Sequence, residues 1–285
     1  MSRIAYVDGR YVRHANACVH IEDRGYQFAD AVYEVWSVFN GRLADTQGHL
    51  DRLDRSLNEL RIETPMTRPA LLVVLYEVIR RNRIKDGMVY LQVSRGAAPR
   101  DHFFPAGVKP TLVITARSVD RKVAAAKAET GIKVITQPDI RWGRCDIKTV
   151  GLLPNVLAKQ AAKDAGASDV LFVDSEGFIT EGGSANAYIV DQAGVIRTRS
   201  LTANILAGIT RAQLLKILGS TDIQVKEEAF SVAQALGAKE VFVTAATSLV
   251  MPIVDIDGHK IADGKPGPVA TALRAAYIEN AIANA

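Results

Sequence analysis

Four short stretches of this chain carry residues able to do chemistry. Lys148 closes the run Arg141-Trp142-Gly143-Arg144-Cys145-Asp146-Ile147-Lys148. Such a lysine is either a solvated surface residue or a nucleophile; the second role requires burial or neighbouring charge to lower its pKa from the free value of about 10.4. Glu181 follows an apolar strand-like run and precedes Gly182-Gly183-Ser184. A carboxylate there is a strand-end surface group, or one placed where the backbone is permissive and closely packed. Gly208-Ile209-Thr210-Arg211 opens an amphipathic pattern continued by Leu214, Leu215, Ile217 and Leu218. The unpaired amides and dipole of a helix start suit a phosphate, and simple capping by Thr210 suits the same sequence. Arg100-Asp101-His102 follows the loop Gly96-Ala97-Ala98-Pro99. Its guanidinium fork matches a carboxylate with two hydrogen bonds.

Other chemistries are disfavoured. Gly258 to Pro266 superficially resembles a phosphate loop, but it is one residue too long and has Pro266 where magnesium needs a hydroxyl. No G-x-G-x-x-G is present, against a dinucleotide fold. The two cysteines, Cys18 and Cys145, are too far apart for a disulfide framework or a zinc ribbon, and the five histidines show no metal-ligand spacing. The net charge is +4, yet apart from Arg80-Arg81-Asn82-Arg83 the basic residues are interleaved with acids, so no nucleic-acid partner is expected. No run approaches the roughly 18 apolar residues of a membrane span. The N-terminus turns polar too early for a secretory signal, so a cytoplasmic location is expected.

The elements that must position these residues follow from periodicity. The 285 residues, 48% hydrophobic, suffice for one large or two modest domains. Strands are expected at Ile4 to Val7, Tyr11 to Val12, Val32 to Phe39, Val89 to Ser94 and Thr111 to Ala116. Helices are expected around Leu50, Leu53, Leu57 and Leu60, and from Pro69 to about Arg83 with Thr67 as the cap. This reads as a small N-terminal α+β domain, residues 1–118, followed by a charged, alanine-rich connector, 119–127, for which a short exposed helix is an equal alternative. A larger C-terminal domain, 128–285, mixes strands (Ile132 to Ile135, Val170 to Val173, Phe178 to Thr180, Ala185 to Val190, Val241 to Thr244) with helices. The helices fall at Pro154 to Ala165, after Gly208 and after Pro268.

Taken in order, the motifs resemble one family over nearly the whole chain: the fold type IV pyridoxal-phosphate-dependent aminotransferases of the branched-chain aminotransferase-like superfamily, and within them the D-amino acid (D-alanine) transaminases. The resemblance is carried by Asp23 to Val35, His49 to Leu53, Gln92 to Gly96 with Pro99 to His102, Arg144 to Lys148, Thr180 to Asn186, and Ile205 to Arg211. It implies a two-domain α+β fold and pyridoxal 5'-phosphate as cofactor. Lys148 would form the internal aldimine and then move the proton between Cα and C4′. Glu181 would pair with the pyridine nitrogen, while Arg52, Ile209 and Thr210 would hold the phosphate. In the turn where the family often has a Ser-Thr pair, this sequence departs, with Ala245-Ala246 followed by Thr247-Ser248, which leaves backbone amides and Thr247 for the phosphate.

The resemblance further implies a trap for the substrate α-carboxylate made of Tyr33, Arg100 and His102, with Leu206 lining the side-chain pocket. It implies a homodimer whose partner subunit supplies the arginine and histidine. The expected reaction is a ping-pong transamination between a D-amino acid, such as D-alanine or D-glutamate, and pyruvate or 2-oxoglutarate. Branched-chain L-amino acid aminotransferase and aminodeoxychorismate lyase share the scaffold and are the alternatives; neither needs the Arg100 and His102 pair.

Overall fold

The computed structural model describes residues 3–283, so the outermost residues of the expected domains, 1–2 and 284–285, lie outside it. The chain forms two compact units, the first holding residues up to Asp120 together with Ile147–Gly151, the second Arg121–Asp146 and Leu152–Ala283. Lys148 therefore belongs to the N-terminal unit, although the chain on either side of its short segment belongs to the other.

In the first unit the strands are β1 (Ile4–Val7), β2 (Arg10–Arg13), β3 (Ala31–Phe39), β4 (Arg42–Leu43), β5 (Gly87–Ser94) and β6 (Thr111–Ser118). They form one antiparallel sheet in the order β2-β1-β6-β5-β3-β4. Alternation along β5 buries Val89, Leu91 and Val93. Asp8 and Gly9, at φ +42° and +86°, make the tight turn between β1 and β2. Helix α1 (Arg24–Phe28) is short; α2 (Thr46–Glu59) and α3 (Arg68–Asn82) bury Leu50, Leu53 and Leu57, and Leu71, Leu75, Val78 and Ile79, in the same core as the β5 residues. Thr67 occupies the cap position of α3, but its side chain makes no capping bond. Since β4 pairs only with the Val38–Phe39 end of β3, the other end keeps an open edge. Lys148 to Val150 takes it: the Tyr33 amide donates to the Lys148 carbonyl (3.0 Å) and the Val150 amide to Ala31 (3.1 Å). Ile147, 4% exposed, anchors this segment in the core.

The second unit begins with α4 (Arg121–Thr130), a helix over most of the charged stretch 119–127. There follow β7 (Ile132–Pro138), α5 (Leu153–Asp164), β8 (Asp169–Val173), β9 (Ile179–Gly182), β10 (Asn186–Val190) and β11 (Ile196–Thr198). The chain ends with α6 (Ile209–Leu218), β12 (Val225–Glu227), α7 (Val232–Leu236), β13 (Glu240–Ala245), β14 (Leu249–Ile256), β15 (His259–Lys260) and α8 (Pro268–Ala283). The strands build a mixed sheet in the order β12-β11-β10-β13-β14-β7-β8-β9, with β15 beside β14. Strands β10 and β13 are almost wholly buried. Leu214 and Leu218 of α6 and Ala270 and Leu273 of α8 pack with Tyr188, Phe242 and Val250 of the sheet. The two-domain α+β class expected from the sequence is the class observed. Among the described residues no helix is long and apolar enough to cross a membrane.

Candidate active site

In the first unit the pairing of residues 148–150 with the β3 edge sets Lys148 beside Tyr33, its Nζ 4.2 Å from the centre of the Tyr33 ring. Tyr90 stacks on Tyr33 at 5.6 Å and donates its hydroxyl to Gln92 (2.8 Å). Burial, with a smaller contribution from Tyr33, pushes the Tyr90 phenol up to about 12, so it stays protonated at neutral pH.

Glu34, next to Tyr33 on β3, points to the opposite face because strand side chains alternate. There it is fully buried and accepts Arg52 Nε (2.7 Å) and Nη2 (2.8 Å), with His49 Nδ1 2.7 Å from Oε2. Burial alone would raise the Glu34 pKa; the Arg52 charge and hydrogen bonds outweigh it and lower the group to about 2. Burial lowers the His49 pKa against the pull of Glu34, so the neutral imidazole donates from Nδ1. The Arg52 guanidinium is thus oriented by a bidentate carboxylate.

Arg100 and His102 are both exposed and share one ring: the Arg100 guanidinium lies 4.5 Å from the centre of Phe28 and the His102 ring 5.5 Å from it. Buried Arg24 fastens their loop, donating Nη1 to the Asp101 carbonyl (2.6 Å) while Nε is paired with Asp30 (2.8 Å). Phe104 is clamped by Arg95, 3.6 Å from its ring centre.

In the second unit Glu181, 7% exposed, closes β9. Its Oε1 pairs with Arg141 Nη1, and its Oε2 accepts the Leu206 amide (3.1 Å) and Asn186 Nδ2 (3.4 Å). Asn186 also donates to the Leu206 carbonyl (2.9 Å), so Glu181 and Leu206 are brought together. Arg141 is held in turn by Asp139, through Nε (2.8 Å) and Nη2 (2.6 Å). Sequence reasoning passed over Asp139, Arg141, Asn186, Glu34 and His49 as chemical groups. Asp139 lies only two residues from Arg141, but Glu181 is 40 residues from Arg141 and Glu34 is 15 from His49, pairings that no local pattern reveals.

Helix α6 starts at Ile209, with Gly208 as its cap residue and no side-chain capping bond. Thr210 does not cap: its Oγ1 is buried and has no hydrogen-bond partner. A Cβ on Gly208 would lie 2.0 Å from Asn186 Oδ1, so only glycine allows this close approach. Ala246, half-buried, and Thr247, exposed, lie in the turn between β13 and β14. A buried hydroxyl without a partner beside uncapped helix amides is a donor set suited to a phosphate. Together with the buried Glu181 carboxylate, the residues of this unit fit pyridoxal 5'-phosphate.

Comparison with known proteins agrees with this chemistry. Residues 31–256 match the family described as Amino-transferase class IV. D-alanine aminotransferase of Bacillus licheniformis is 39% identical over 275 residues, covering 96% of this chain and 95% of the relative. D-alanine aminotransferase of Staphylococcus haemolyticus is 39% identical over 273 residues, covering 95% of each. Among solved structures, a branched-chain amino acid aminotransferase from T.th. with pyridoxamine 5'-phosphate superposes with a TM-score of 0.91 at 25% identity, covering 100% of this chain and 96% of that one.

Proposed function

Since the chain belongs to the class IV aminotransferases, enzymes that use pyridoxal 5'-phosphate to exchange amino and oxo groups between small acids, we propose that its amino donor is a D-amino acid. D-Alanine or D-glutamate gives its nitrogen, and pyruvate or 2-oxoglutarate receives it, in two alternating half-reactions. The observation that carries this reading is the loop, pinned by Arg24, that gathers the exposed Arg100 and His102 side chains on the one ring of Phe28. A planar guanidinium there suits the α-carboxylate and disfavours an apolar side chain, which would leave it unpaired.

When bound, the cofactor supplies an electron sink for the electron pair left as the Cα–H bond breaks. Lys148 Nζ would carry the proton from the substrate Cα to the cofactor atom C4′ in the first half-reaction and back in the second. Glu181 accepts a hydrogen bond from the ring nitrogen. Arg52, the Ile209 amide, the Thr210 hydroxyl and the Ala246–Thr247 turn hold the phosphate. Tyr33, Arg100 and His102 bind the substrate carboxylate, and Leu206 lines the side-chain pocket. The working form is a cytoplasmic homodimer in which the neighbouring subunit contributes its arginine and histidine, so a monomer is inactive.

The 25%-identical branched-chain structure favours a second reading, transamination of branched-chain L-amino acids. A panel of D- and L-amino acids with 2-oxoglutarate separates the two. Pyruvate formation from D-alanine is expected; no pyruvate together with ready consumption of L-leucine transfers the chain to the second reading. Release of pyruvate from aminodeoxychorismate without any acceptor identifies the lyase. Lys148→Ala abolishes both turnover and the visible absorbance of the loaded protein, and full activity in that variant refutes the role of Lys148.

A further inference from the structure

Glu181 does not stand alone; it ends a buried charge series, Asp139, Arg141, Glu181, whose first two members the proposed reaction leaves unused. Asp139 and Arg141 are 11% and 5% exposed at their side chains, and Glu181 9%. Arg141 gives Nε and Nη2 to the two Asp139 oxygens, Nη1 to Glu181, and a further bond from Nη2 to the Asn204 carbonyl (3.2 Å), while its guanidinium lies 4.7 Å from the centre of fully buried Phe172. Thr180 donates its hydroxyl to Asp139 Oδ2 (2.6 Å). Burial alone would raise the Asp139 pKa, but the bonds from Arg141 and Thr180 outweigh it and hold the carboxyl below its ordinary value. Burial alone would lower the Arg141 pKa, but Asp139 and Glu181 outweigh it and keep the guanidinium above its usual range. Cys145, the adjoining thiol, is pushed up to about 11 chiefly by burial and carries no charge at neutral pH. The flanking pairs Arg144–Asp146 and Arg199–Asp174 are each neutral in themselves.

Two carboxylates and one guanidinium leave this cluster one negative charge in excess. We infer that Asp139, by neutralising Arg141, frees the charge of Glu181 for a ligand, so that the cluster selects a cationic, protonated aromatic ring nitrogen over a neutral ring of the same shape. Without Asp139, Arg141 would satisfy Glu181 alone, and a protonated ring would bring an uncompensated buried positive charge. Asp139 is accordingly a positioning residue that acts through Arg141. This inference rests on the reading of Glu181 as the partner of the ring nitrogen.

The test uses the full chain freed of cofactor and reloaded with pyridoxal 5'-phosphate or with its 1-deaza analogue, in which CH replaces the ring nitrogen. The readout is the ratio of the two affinities within each variant, which cancels any general loss of folded protein. The natural chain is expected to prefer pyridoxal 5'-phosphate. Asp139→Asn is expected to cut that preference about tenfold, the factor one pKa unit represents. Asp139→Glu keeps it, and Arg141→Gln, which leaves the site more negative, keeps or raises it. An unchanged ratio in Asp139→Asn overturns the inference, as do equal losses in Asp139→Asn and Arg141→Gln, which would mean that the series only positions Glu181. No preference in the natural chain instead removes the ring-nitrogen reading of Glu181.

Discussion

Glu34→Gln isolates the buried carboxylate that orients Arg52. Glu34 is fully buried, and its pKa is lowered from an ordinary 4.5 to about 2 because the favourable charge and hydrogen bonds of Arg52 exceed the cost of burial. At about 1.36 kcal/mol per pKa unit, the ionised form contributes about 3 kcal/mol to folding. The folded pKa is depressed, so the contribution is fully present above about pH 4.5 and is lost as pH falls through about 2. Glutamine keeps the shape but not the charge, leaving Arg52 buried with an incomplete partner, a loss of about 3 to 5 kcal/mol. With a urea dependence of about 3 kcal/mol per molar, the unfolding midpoint at pH 7 is expected to drop by about 1 M. The gap between the two proteins should then narrow by about 3 kcal/mol as pH is lowered from 4.5 towards 2, because only the natural protein loses the charge. The measurement is urea unfolding of both proteins across that range. A pH 7 midpoint shift below about 0.3 M, or a gap that does not change with pH, refutes the account of Glu34 as an ionised partner of Arg52.

Two further substitutions probe neighbouring claims. Thr210→Val removes a buried hydroxyl that has no partner, so the cofactor-free chain should be unchanged or more stable by about 1 kcal/mol in thermal unfolding. Affinity for pyridoxal 5'-phosphate should fall about tenfold with that for phosphate-free pyridoxal unaltered, and equal losses for both would remove Thr210 from the phosphate seat. Phe28→Ala withdraws the ring shared by Arg100 and His102, each contact being of the order of 1 kcal/mol. The amino-acid KM should rise about fivefold or more with cofactor affinity constant, and an unchanged KM speaks against the trap.

Much of the architecture was legible in the sequence because it rests on local periodicity. The alternation of Val89, Leu91 and Val93 placed β5, the spacing of Leu50, Leu53 and Leu57 placed α2, and Gly208 before Ile209 placed the start of α6. The kind of cofactor was legible through the resemblance of six ordered motifs to one family; taken singly, Lys148, Glu181 and Thr210 left the surface-group and capping readings open. What the tertiary structure alone decided is what these residues touch. Local pattern could not tell a capping Thr210 from an unpartnered one, because the difference lies in whether its buried hydroxyl meets a neighbour. Nor could it show that Ile147–Gly151 would join the N-terminal unit, which follows from the edge of β3 left open by the short β4. The charged partners of Arg52 and Glu181, Glu34 and Arg141, lie 18 and 40 residues away in the chain, and burial of charge is affordable only once those partners arrive, a condition set by packing and not by neighbouring sequence.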